Sequence, residues 1–203
     1  KFFFKMLLLD YKSIWQLFLK CRRFRTGLFG VFLLVELSFY SMHALGVDLA
    51  IKGFTDVTIL MITGYICGVC MLKYYKNKSD QFLINNGYKI SILSFLPVFI
   101  LKYFFVPNQL QWVIAPCYFF YSFGVAFIVP SLFSMLSKER KPHEQGKIYG
   151  LIDSTDTIAL LLALIIGILY SYLKINVYVV SFSIFLISRL YYARFNKTNK
   201  NES

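Results

Sequence analysis

Residues 127–170 read FIVPSLFSMLSKERKPHEQGKIYGLIDSTDTIALLLALIIGILY. An apolar run ends in a basic loop holding Lys138, Arg140, Lys141 and Lys147, and a second apolar run follows directly. The two runs, 110–136 and 148–173, each reach the roughly 20 residues that cross a bilayer as a helix. A helix, a basic loop and a returning helix in a membrane is the simplest structure for this stretch.

Four more runs of the same kind flank it, at 26–47, 57–75, 88–106 and 175–195. The 203-residue chain is 58% hydrophobic and 16% charged, against roughly 25% charged in a soluble domain. The sequence therefore predicts an all-α integral membrane protein with six transmembrane helices. The gaps VPNQ (106–109) and LKIN (173–176) are short enough to force antiparallel neighbours.

Charge distribution sets the sides. Excess Lys and Arg mark cytoplasmic loops, and of the 22 such residues only Lys52, Lys102 and Lys174 fall on the other side. Both termini are predicted to be cytoplasmic. The net charge of +12 follows from this topology and from attraction to anionic lipid, about 1 kcal/mol per basic residue near the surface, so no nucleic-acid partner is implied.

Residues 1–25 read as a cytoplasmic linker or an interfacial amphipathic helix, with Ile14, Leu17, Phe18 and Cys21 on one helical side. The end of a preceding membrane helix at FFFKMLLL is the alternative. Residues 26–195 form the predicted six-helix domain, and 196–203 a cytoplasmic tail. The start at Lys1 rather than Met suggests that an N-terminal portion is missing or was removed. Abundant Lys, Ile, Phe, Tyr and Asn suggest a low-GC bacterium and hence its cytoplasmic membrane.

The loop within the quoted stretch resembles the connection between the tenth and eleventh helices of major facilitator superfamily (MFS) transporters, a proline-bearing helix end followed by P-x-x-E-x-G-x-x-x-G. Pro130, Pro142, Glu144, Gln145, Gly146 and Gly150 carry the resemblance in the tighter form PHEQGKIYG. A second echo, GVCMLKYYKNK (68–78), is similar to the family's loop G-x-L-A-D-R-x-G-R-R. Gly68, Lys73 and Lys76 match in kind, while Leu72 stands at the acidic position and Tyr75 at the second glycine.

The resemblance implies the C-terminal six-helix half of such a transporter, made of two inverted three-helix repeats. It implies alternating access for a small solute, a metabolite or a drug-like compound, by symport or antiport. It further implies a partner unit, either an N-terminal half or a second copy of the chain. A non-transporting scaffold or a remnant of a transporter is the rival reading, and the coding sequence upstream of Lys1 would separate them.

Glu36 lies about ten residues into the first run, at roughly 15 Å depth for a rise of 1.5 Å per residue. Intramembrane acids cost about 2.5–3.5 kcal/mol even on insertion scales and normally face a bundle interior or a watery cavity. Tyr40 and His43 follow at i+4 and i+7 on the same face. The stripe suits proton coupling or a cationic or polar substrate; a protonated Glu36 bonded to a neighbouring helix is the structural alternative. Asp153 and Asp156, at i and i+3 near the start of the fifth run, either bind a cation or cap the helix. Tyr118 and Tyr121 in the fourth run either contact substrate or pack as ordinary aromatics.

No cofactor or metal set is predicted. Cys67 and Cys70 form CGVC inside the second run, where small residues serve helix packing. The membrane alcohol phosphatidyltransferases of this size need D-G-x-x-A-R, and the chain has no Asp-Gly pair. The Gly-rich phosphate loops of glycerol-phosphate acyltransferases are missing too, so no enzyme activity is expected.

Overall fold

The computed structural model describes residues 23–51, 56–102, 111–138, 145–173 and 177–202. These form six helices: α1 Arg23–Ile51, α2 Asp56–Leu72, α3 Asp80–Lys102, α4 Gln111–Lys138, α5 Gln145–Leu173 and α6 Val177–Glu202. No strand occurs among the described residues. The all-helical class and the helix count match expectation. Residues 1–22, the hairpins at 106–109 and 174–176, Pro142, Glu144 and the side chain of His43 lie outside the described residues.

Two boundaries move. α3 starts at Asp80, eight residues before the predicted run, because Ser79 caps it: Phe82 N donates to Ser79 Oγ at 3.3 Å. Its polar first turns are held by partners on α6. Gln81 Nε2 donates to Asn196 Oδ1 at 3.2 Å, and Arg189 Nη1 to Asn85 Oδ1 at 2.7 Å. α6 runs on as one helix through Glu202, past the end of the predicted run at 195. Between α2 and α3 the chain leaves the helix through tight turns, with Tyr75 N donating to Leu72 O at 3.0 Å and Lys78 N to Tyr75 O at 2.9 Å.

The helices pack as two interlocked sets. α4 runs along α2 and α3, and α1 along α5 and α6. Exchanging α1, α2 and α3 for α4, α5 and α6 maps one set of contacts onto the other. Small residues bring the backbones together. Gly64 and Gly68, one turn apart on α2, lie against Phe119, Phe123 and Ala126 of α4. Gly87 of α3 faces Gly124 of α4 so closely that a Cβ on either would stand 2.6 Å from the other's carbonyl oxygen. Such small-residue contacts are typical of helices that cannot rely on hydrophobic exclusion to associate.

Hydroxyls tie the interlocked sets together. Ser38 of α1 donates to Ser181 O of α6 at 2.8 Å and shares a 2.9 Å hydrogen bond with the Tyr121 hydroxyl of α4. Tyr88 of α3 and Ser188 of α6 form a similar buried pair at 3.0 Å. Each of these polar groups is satisfied inside the bundle, as burial requires.

On α5 and α2, by contrast, large apolar side chains point outward. On α5, Ala159 and Ala163 are buried against Leu33, Leu37 and Tyr40, whereas Leu161 is 56% exposed and Ile168 58%. α2 likewise exposes Ile59, Ile62 and Ile66. Small residues inside and large aliphatic ones outside reverse the arrangement that water favours. Among the described residues, two segments are long and apolar enough to cross a membrane, Pro116–Lys138 and Ile148–Leu169; Gly27–Met42 and Thr58–Leu72 are shorter apolar helices.

Candidate functional site

A cavity of about 620 Å³ opens between α1, α2, α4 and α5. α1 gives it Phe32, Glu36, Phe39 and Tyr40, and α2 gives Tyr65. Val129 and Phe133 of α4 line another wall, and Tyr149, Asp153 and Asp156 of α5 the last. Three carboxyl groups and six aromatic rings thus face one space. No Lys, Arg or His lines it among the described residues.

Helical spacing explains why these side chains converge. Glu36 and Tyr40 are one turn apart on α1; Tyr149, Asp153 and Asp156 stand at i, i+4 and i+7 on α5. The two stripes meet where the Tyr40 hydroxyl donates to Asp156 Oδ1 at 2.8 Å. This bond holds α1 and α5 in register and leaves the Asp156 carboxyl partly occupied. Asp153 is exposed at the outer end, Asp156 is half-buried, and Glu36 is only 7% exposed. The acids therefore descend from solvent to the interior. Glu36 has no hydrogen bond or ion pair among the described residues.

The aromatic wall is braced from behind. Phe39 meets Tyr65 at 5.9 Å between ring centroids and stacks on Tyr121 at 6.4 Å, and Phe95 and Phe185 close on the other sides of Tyr121. Tyr121 stands one layer outside the cavity, as a support for Phe39. Tyr118 is buried in the same core and does not line the cavity either.

Of the residues singled out by sequence, Glu36, Tyr40, Asp153 and Asp156 are brought together. The helix-capping alternative for the two aspartates does not apply: α5 begins at Gln145, and its first turn contains no acid. The sequence reading missed Tyr65, Tyr149 and Phe39. Tyr149 was within reach, since it stands one turn before Asp153. Tyr65 carries no local signal, because only the packing of α2 on α4 aims it at Phe39.

The glycines differ from expectation. Gly146 and Gly150, which carry the loop resemblance, lie inside α5, and a Cβ at either meets nothing within 4 Å among the described residues. Close approach falls instead on α2 and α3, and Gly150 borders the cavity. Gly68 is likewise a packing residue inside α2 rather than part of a loop, while Lys73 and Lys76 are exposed in the turn after it and Gln145 opens α5. Gly150→Ala is expected to raise stability by up to about 1 kcal/mol, the helix-propensity difference, read as a higher Tm in detergent. A lower Tm would show a neighbour that the open space does not reveal.

Comparison of the chain with protein-family models, with curated proteins and with solved structures finds no match.

Proposed function

We propose that the protein is a six-span membrane unit of a secondary transporter, moving a small solute through the acidic aromatic cavity by alternating access. The observation that carries this reading is the cavity itself. A carboxyl group near the middle of α1, buried and without a hydrogen-bond partner among the described residues, is costly unless it serves a passing proton or solute. The outward aliphatic face of α5 supports a lipid surrounding.

The exchange relation between the two helix triplets supports the resemblance to the C-terminal half of an MFS transporter. Three spans per repeat is an odd number, so the second repeat starts from the opposite side and is inverted, as in that superfamily. Alternating access then needs a second six-helix unit to rock against, an N-terminal half or a second copy of this chain. Both termini and the basic loops belong on the cytoplasmic side of a bacterial inner membrane in this reading. In this reading the turn residues Lys73 and Lys76 and the α5 entry residues Gln145 and Gly146 belong to the cytoplasmic side, and Tyr40, Asp153 and Asp156 share the pathway with Glu36.

The test is solute-driven proton movement. The protein is placed in vesicles enclosing a pH-sensitive dye, and organic cations, anions and neutral solutes are added in turn. At least one class is expected to shift internal pH faster than in empty vesicles. Equal behaviour of all classes in filled and empty vesicles, with labelled solutes crossing no faster, would overturn the proposal.

A further inference from the structure

We propose that the cavity selects an organic cation: one ammonium or phosphonium centre beside Glu36, with its apolar substituents against the rings of Phe32, Phe39 and Tyr65. This rests on the transport reading for its purpose but not for its chemistry. The lining holds three carboxyl groups and six aromatic rings, with no basic residue among those described. Among those residues an anion would meet only like charge, and a neutral solute would leave Glu36 without a partner.

The three acids are not equivalent. Asp153 is exposed and screened by water, and Asp156 already accepts the Tyr40 hydroxyl at 2.8 Å. Glu36 alone is both buried and without a hydrogen bond or ion pair among the described residues, so it is the counter-ion that remains open. Ring faces attract cations within about 6 Å of the centroid, and Phe39 and Tyr65 present two rings 5.9 Å apart. A metal ion fits less well: no group of three or more His, Cys, Asp or Glu side chains among the described residues is placed to hold one. The volume, about 620 Å³, lies in the range of small-molecule sites.

The test uses two ions of one shape and opposite charge. Labelled tetraphenylphosphonium is expected to bind the purified full chain saturably in detergent, whereas tetraphenylborate gives no saturable component. Glu36→Gln should weaken phosphonium binding about thirtyfold or more, the low end for loss of a buried charge partner. Glu36→Asp should retain most of the affinity. Tyr65→Leu, which leaves every charge in place, should weaken it about fivefold through loss of one ring, and it keeps the proposal testable if Glu36→Gln does not fold. Saturable tetraphenylborate binding of equal strength, or unchanged phosphonium affinity in Glu36→Gln, would overturn the inference. Vesicle uptake separates it from the transport reading. Glu36-dependent phosphonium binding without accumulation in energised vesicles supports the cation site and removes the transporter; coupled uptake of an anion or neutral solute with no phosphonium binding does the reverse.

Discussion

Gly124→Val is expected to leave little folded protein, the largest stability loss of any single substitution considered. A Cβ at position 124 would stand 2.6 Å from Gly87 O and 2.9 Å from Ser91 N, both backbone atoms of α3, and would also strike Ser91 Oγ. A flexible side chain could swing aside; a helix backbone cannot. Relief requires α3 and α4 to separate, which breaks the Ser91 Oγ hydrogen bond to Tyr121 O at 3.0 Å and loosens the ring cluster around Tyr121. Overpacking costs about 1–3 kcal/mol per site and occasionally more, a large part of the usual 5–15 kcal/mol. Gly124→Ala should lower the Tm clearly in detergent, and Gly124→Val should run as aggregate on gel filtration. Gly87→Ala should resemble Gly124→Ala, and the double variant should cost less than the sum, because both relieve the same contact. An unchanged Tm in Gly124→Ala would show that the two helices do not approach as described.

Glu36→Gln is expected to separate function from stability. Gln is nearly the same size as Glu and has no charge to desolvate, and nothing among the described residues hydrogen-bonds to the carboxyl group it replaces. The variant should therefore fold at least as stably as the parent, with an equal or higher Tm. Solute-coupled proton movement, in contrast, should fall at least tenfold. A tenfold loss corresponds to about 1.4 kcal/mol, less than a buried charge partner is usually worth. Full coupling in the variant would remove Glu36 from the proton or solute pathway. A sharp drop in Tm would make it a packing residue bonded to a neighbouring helix.

The helices were legible because their signal is one-dimensional. Apolar runs need no knowledge of partners, and each of the six runs corresponds to a helix, though among the described residues only two segments are long and apolar enough to cross a membrane. Where polar residues opened a helix, the signal failed: Gln81 and Asn85 belong to α3 because Asn196 and Arg189 of α6 receive them. No local pattern contains that information. Which helices pair was hidden for the same reason. Gly64 and Gly68 show close-packing spacing in the sequence, yet only the folded chain names α4 as the helix they meet.

The site was half legible. Glu36 and Tyr40 stood out as a polar stripe in an apolar run, and Asp153 and Asp156 as a pair of acids. That the stripes face each other depends on α1 packing along α5, a contact between residues over a hundred positions apart. Tyr118 and Tyr121 illustrate the converse. A tyrosine in an apolar helix can face a cavity or a core, and here the Ser38 hydroxyl and the rings of Phe95 and Phe185 hold Tyr121 in the core.

What surrounds α5 decides whether the bundle lies in a membrane. Leu161 is 56% exposed on the bundle surface, and lipid or water there gives opposite chemistry. A single cysteine at Leu161, in a chain whose own cysteines are replaced, can be challenged with a hydrophilic maleimide in permeabilised native membranes. Lys138→Cys, at an exposed helix end, serves as the reactive reference. Prompt labelling is expected at position 138, and none at 161 until detergent denatures the protein. Equally fast labelling of the two positions in the native state would contradict a membrane location.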